Sequence, residues 1–289
     1  MRLTDSHVHF WDPERFRYVW LDEQTLIRRR FGLEEFAAAS SAFEVETLIF
    51  LQADCLPEQG SAEVEWVKEL AAIEPRLRGA VAFAALEDPA AAEAAVARWS
   101  GDPVVCGLRR LIQPERPGFC QQPEFRSGVR RLAESRLRFD LCCRGQQLPE
   151  VVALVEACPG VRFVLDHFGK PDIRGGQTAP WKEQLRNLAS AGDVACKLSG
   201  LVTEADPLHW TREELQPWVD AALEVFGPRR MLFGSDWPVC TLASSYRRWV
   251  ETARDCLAGL SEDERDDVFR RNALRVYGIE TGVVEGMEP

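Results

Sequence analysis

At 289 residues, 46% hydrophobic and 28% charged, the chain has ordinary globular composition and the length of one α/β barrel of about 250 residues. A formal net charge of -11 argues against a phosphate-binding face. The basic run Arg28-Arg29-Arg30 sits beside Glu34 and Glu35 and reads as a solvated face, and no apolar run nears the 18 or so residues of a membrane span.

The first predicted strand is Leu3–Phe10, entered from Met1 without the basic and apolar regions of a secretory signal, which points to a cytoplasmic protein. A long excursion rich in Trp, Phe, Tyr and Arg, residues 11–41, follows as an inserted loop region. Further strands are predicted at Thr47–Asp54, Gly79–Leu86, Val104–Leu111, Arg138–Cys143, Val161–Gly169, Val194–Leu201 and Arg230–Pro238. Most are near-continuous apolar runs, as expected for strands covered on both faces. Helical patterns lie between them: Ser61–Glu74 with Ser61 as N-cap, Pro89–Trp99, Glu124–Ser135, Leu148–Ala157, Pro180–Ala191 and Arg212–Phe226. Ser244–Leu257 and Ser261–Tyr277 close the chain, and 280–289 reads as a frayed acidic tail.

Strand and helix alternating eight times predict a single-domain (β/α)8 TIM barrel spanning 1–289. An open doubly wound sheet is the alternative, but the chain carries no Gly-x-Gly-x-x-Gly or Walker motif. The nine cysteines form no Cys-x-x-Cys pair, and Cys106, Cys142, Cys143 and Cys196 fall in predicted strands; reduced, buried thiols are expected.

The chain has four histidines. His7 and His9 end the first strand two residues apart, so both point the same way. His167 ends the sixth strand and Asp236 the eighth. In a barrel all strand C-termini meet at one rim, and the eighth strand returns beside the first. Three imidazoles and a carboxylate gathered there could hold a divalent metal, polarise a carbonyl or activate water. His209, in the loop after the seventh strand, reads as a surface residue. Gln52, Asp54, Arg109, Arg110, Lys170, Lys197 and Ser199 are polar rim positions, where Arg or Lys can hold hydroxyls or a carboxylate, or instead form rim salt bridges.

The motifs Thr4-Asp5-Ser6-His7-Val8-His9-Phe10-Trp11, Gly107-Leu108-Arg109 and Asp166-His167-Phe168-Gly169-Lys170-Pro171, with Lys197-Leu198-Ser199-Gly200 and Gly234-Ser235-Asp236-Trp237-Pro238, resemble the amidohydrolase superfamily. Within it they are similar to the sugar-acid lactonase branch of L-fuconolactonases and L-rhamnonolactonases, with pyrone-dicarboxylate lactonases more distant. The resemblance runs from Leu3 to about Tyr277. It implies opening of a small sugar lactone, such as L-fuconolactone, to the free acid, with Asp236 as general base. His7, His9 and His167 would bind the lactone carbonyl or, with Asp236, one divalent metal, zinc or manganese. Arg109 and Lys170 would hold the substrate, joined by Lys197, Gln52 and Trp11. The seventh strand ends in Lys197-Leu198-Ser199-Gly200 rather than a histidine, and no lysine is placed to bridge two ions, so at most one metal is expected. The expected partner is the sugar lactone alone, without nucleic acid or membrane; a homo-oligomer is compatible. Similar barrels also host metal-dependent decarboxylases of aromatic or unsaturated acids, for which only His209 could supply the extra histidine, and a non-catalytic carbohydrate-binding barrel is a third reading.

Overall fold

Eight short, mostly buried β-segments pair side by side in chain order in the computed structural model, which describes residues 1–280. They are β1 (Arg2–Val8), β2 (Glu44–Leu51), β3 (Leu77–Phe83), β4 (Val105–Arg109), β5 (Arg138–Leu141), β6 (Arg162–Leu165), β7 (Asp193–Leu198) and β8 (Met231–Phe233). Every pairing is parallel. A bridge between Val8 and Trp237 joins the last strand to the first. Polar groups stitch this seam. The Asp5 carboxylate accepts from the Ser235 and His7 amides at 2.8 and 3.2 Å, and Ser6 Oγ donates to the Phe233 carbonyl at 2.6 Å. The ring is therefore the expected (β/α)8 barrel.

The helices around it are α1 (Leu33–Ser40), α2 (Gly60–Ile73), α3 (Pro89–Trp99), α4 (Pro123–Arg130), α5 (Leu148–Ala157) and α6 (Thr178–Ala191). Then come α7 (Leu201–Glu204), α8 (Arg212–Phe226), α9 (Tyr246–Cys256), α10 (Glu262–Asp266) and α11 (Asn272–Tyr277). Helix α3 begins where Asp88 accepts from the Ala90 and Ala91 amides and Pro89 supplies a preset φ at the first helical position. Ser61 is no cap: α2 starts one residue earlier, without a side-chain cap bond. Residues 11–41 contain a turn of 3-10 helix at Val19–Glu23 and helix α1, so the insert is structured rather than a plain loop. Of the tail 280–289, residues 281–289 lie outside the described residues. No described helix is long and apolar enough to cross a membrane.

Inward positions alternate along the strands. Ile49, Leu51, Val81, Val164, Ala195 and Leu232 form an apolar layer inside the ring, closed at its N-terminal end by Tyr277 of α11. Above it the interior turns polar: Asp140, Asp166 and Lys197 are buried there, and Tyr277 donates to Asp140 Oδ2 at 2.6 Å. A larger apolar shell between strands and helices surrounds the barrel. All nine cysteines are free and buried, although Cys142 and Cys143 follow β5 instead of lying in it.

Candidate active site

The strands end earlier than their apolar patterns, because the residues that follow leave the ladder to form the mouth. Asp54, His167, Phe168, Lys170 and Asp236 all adopt positive φ, between 46 and 61°. Such conformations are costly for L-residues with a β-carbon, and their concentration at one rim is the pattern of a site that fixes side chains at the expense of local backbone ease. Glycines make room. A β-carbon at Gly200, itself at φ 64°, would lie 2.4 Å from His167 Nδ1, and one at Gly234 would lie 2.6 Å from His7 Cβ.

Four sequence-predicted residues converge there. His7 Nε2, His9 Nε2 and His167 Nε2 lie 3.6, 3.4 and 3.9 Å from Asp236 Oδ1. All four residues are buried. Each ring is fixed by its partners. His9 Nδ1 donates to the Leu51 carbonyl at 2.8 Å, which turns its Nε2 towards Asp236. His7 Nδ1 lies 3.3 Å from both Asp166 Oδ1 and Lys197 Nζ, while Arg109 Nη1 approaches its Nε2 at 3.5 Å. His167 Nδ1 bonds Ser199 Oγ at 2.8 Å. The Asp236 amide donates to the His7 carbonyl at 2.8 Å, and the Cys240 amide donates to the Asp236 carbonyl at 2.8 Å, fixing the carboxylate against β1.

Beneath lies a buried charge layer. Asp166 pairs with Arg109 Nη1 and Lys197 Nζ at 3.0 Å each, and Lys197 also pairs with Asp140 at 2.6 Å. Burial lifts Asp140 to about 6 against the pull of Lys197, whereas Lys197, His7 and Arg109 overcome burial at Asp166 and hold it well below the carboxylate range. Burial drives His7 well below the ordinary imidazole value and His167 down to about 4. Burial would raise Asp236, but His167, His9 and His7 outweigh it and keep the carboxyl ionised. The mouth therefore sets the neutral imidazoles of His7 and His167 beside one ionised carboxylate.

This is the protonation state a divalent ion requires, and the donor set fits one. Among the described residues, two groups bring ligand atoms within 4.8 Å of one another: His7–His9–Asp236 and His7–Asp166–His167. The first places His9 and Asp236 on the cavity wall and the second only His167, whose companion Asp166 already carries Arg109 and Lys197. The Asp166–His7 contact has the form of the carboxylate–histidine pairing that orients an imidazole for metal binding.

The cavity above holds about 250 Å³. That volume suits a small ring. His9, His167, Asp236, Arg109 and Lys170 line it. Three other expected substrate contacts are displaced. Lys197 is fully buried below the floor in its two ion pairs. Gln52 is buried, its Oε1 taking the Asp54 amide at 2.6 Å and its carbonyl taking Arg109 Nη2 at 2.5 Å. Trp11 stands behind His9, 6.5 Å between rings, and its Nε1 donates to the Arg29 carbonyl at 2.8 Å, anchoring the insert. Arg109 lines the cavity, while its Nε is buried without a partner. His209 is 79% exposed and faces Asp206, so the extra histidine of a decarboxylase is missing from the cavity wall.

Several wall residues carried no sequence signal. Trp20 and Gln24 come from the insert, where nothing in the pattern sets them apart from their aromatic and polar neighbours. Glu204 ends the four-residue helix α7, too short to be read from periodicity, and sits 3.9 Å from Lys170 Nζ. Asp166, noticed only as a motif residue and rim salt-bridge candidate, proves to be the hub of the charge layer.

A match to the amidohydrolase family runs from residue 4 to residue 279. The chain belongs to that family. It is 34% identical to an L-fucono-1,5-lactonase of Burkholderia multivorans, an alignment covering 95% of each chain. An L-fucono-1,5-lactonase of Burkholderia ambifaria is 30% identical over 96% of this chain and 95% of its own. The crystal structure of a Burkholderia multivorans amidohydrolase with bound zinc superposes with a TM-score of 0.87 at 34% identity, covering 97% of this chain and 100% of that one.

Proposed function

We propose that the protein is a lactonase that opens a small sugar lactone to its free acid, with Asp236 as general base. The observation that carries this reading is an ionised carboxylate set by three imidazoles at the wall of a small cavity. The lactonase relatives support it.

Asp236 Oδ1 is the oxygen nearest all three rings, which leaves Oδ2 to take a proton from an attacking water. The hydroxide adds to the lactone carbonyl, and charge develops on the carbonyl oxygen. Arg109, rigid in its bonds to Asp166 and the Gln52 carbonyl, lines the cavity and offers its positive charge to that oxygen or to a neighbouring hydroxyl. When the ring C–O bond breaks, the proton on Asp236 passes to the departing oxygen. Lys170 on the opposite wall meets substrate hydroxyls or the new carboxylate. His7, His9 and Asp236, with His167 beside them, would hold one divalent ion, zinc or manganese, which when bound supplies Lewis-acid polarisation of the carbonyl.

Acid release from a panel of sugar lactones, followed with a pH indicator, tests the reading. Rapid release from at least one aldonolactone is expected. No release from any lactone, with carbon dioxide produced from an aromatic acid, would replace it with a decarboxylase.

A further inference from the structure

The cavity wall carries two carboxylates that the hydrolytic chemistry does not use. Asp54, after β2, and Glu204, after β7, both line it, together with the neutral polar side chains of Gln24, Gln113 and Thr203. Trp20 adds an apolar surface, fixed by donation of its Nε1 to the Ala53 carbonyl at 2.8 Å.

Asp54 is held at φ 61° by its own amide bonding Gln52 Oε1. Asn tolerates that conformation as well as Asp does, so the fold by itself does not call for a charge here. Nor is the carboxylate consumed in an ion pair. The two nearest guanidinium groups are engaged elsewhere, Arg109 with Asp166 and Arg110 with Glu87 and Glu115. Glu204 faces Lys170 Nζ at 3.9 Å, beyond direct hydrogen bonding, with Arg144 and Arg174 further off.

An ionised carboxylate only accepts hydrogen bonds, so a ligand that satisfies two of them must bring donors, and it cannot bring a negative charge of its own without repulsion. Resting on the lactonase reading above, we infer that Asp54 and Glu204 are specificity-determining residues that select an uncharged, hydroxyl-bearing lactone ring and reject lactones carrying a second, free carboxylate. Asp54, with no cation paired to it among the described residues, contributes more than Glu204. Discrimination of this kind comes from a repulsive element aimed at the competitor, not from tighter contact with the preferred ligand.

The test compares kcat/KM for a neutral aldonolactone with that for its counterpart bearing a carboxylate in place of the terminal carbon substituent. The wild type should prefer the neutral ring by about a hundredfold or more. Asp54→Asn should narrow that ratio about tenfold, Glu204→Gln by less, and raised salt should narrow it in the wild type more than in Asp54→Asn. A wild-type ratio near one, or a ratio unmoved in both variants while their melting matches the wild type, overturns the inference. If the wild type hydrolyses neither lactone, the lactonase reading fails by itself. Calorimetric binding of the two corresponding lactams, which do not turn over, then decides the inference: a preference for the neutral lactam that weakens in Asp54→Asn upholds it, and equal affinities reject it.

Discussion

Arg109 shows how one side chain serves both the fold and the site. Its guanidinium bonds Asp166 at 3.0 Å and the Gln52 carbonyl, only 4% exposed, yet it also lines the cavity with Nε unpaired. From its position on the rim alone, substrate binding and a salt bridge are both open to it. Removing one partner of a buried ion pair costs roughly 3–5 kcal/mol, because the remaining charge is stranded. Lys197 still faces Asp166 at 3.0 Å and moderates that cost. Arg109→Met should therefore lower the melting temperature by several degrees as well as raise KM or lower kcat. Unchanged melting with impaired kinetics would confine it to substrate binding; lowered melting with normal kinetics would confine it to structure.

At the scale of elements, α2 ties the wall to the insert through a buried acid. Glu63 is fully buried in α2, accepts from the Ala53 amide at 3.2 Å, and faces the Tyr18 hydroxyl of the insert. Burial lifts its carboxyl from 4.5 to about 7, against the opposing bond from the Ala53 amide and the pull of the nearby Tyr18 hydroxyl. The folded chain therefore holds this proton more tightly than the unfolded one, and stability falls as pH rises from about 4.5 through 7. Glu63→Gln removes that dependence. The melting temperature of the variant relative to wild type should rise by several degrees between pH 5 and pH 8; a flat difference would show Glu63 to be an ordinary carboxylate. The same elements mark what could be read beforehand. Eight apolar β-runs and the helices between them were legible because period and length are local properties. So was the meeting of His7, His9, His167 and Asp236, because barrel closure brings β8 to β1. The strand ends were not legible, since His167 and Asp236 leave the ladder through positive φ while their neighbours stay apolar. Nor was the depth of Lys197: its inward position is set by strand alternation, but only the three-dimensional pairing with Asp140 and Asp166 shows that it lies under the floor.

Across the whole molecule, the barrel interior grades from an apolar plug at Tyr277, through the Asp140–Lys197–Asp166–Arg109 layer, to the imidazoles at the mouth. The charge layer determines how many ions the mouth can take. Asp166, committed to two cations, is unavailable as the bridge a second ion would need, so purified protein should contain at most one equivalent of divalent metal per chain. Elemental analysis finding two would mean that the layer rearranges on loading. Activity lost to a chelator and restored by zinc or manganese would establish the single ion as functional.

The central claim is that Asp236 moves the proton in lactone opening. Its direct test is the turnover of Asp236→Asn on the best lactone, with bound metal quantified in the same preparation. Asn keeps the volume, tolerates the φ of 58° and retains the backbone bonds to His7 and Cys240, so the fold should persist. Loss of a general base costs about 10²–10⁴-fold. A kcat at least a hundredfold lower is expected in a folded variant with unchanged metal content; near-normal turnover in that protein would contradict proton transfer by Asp236.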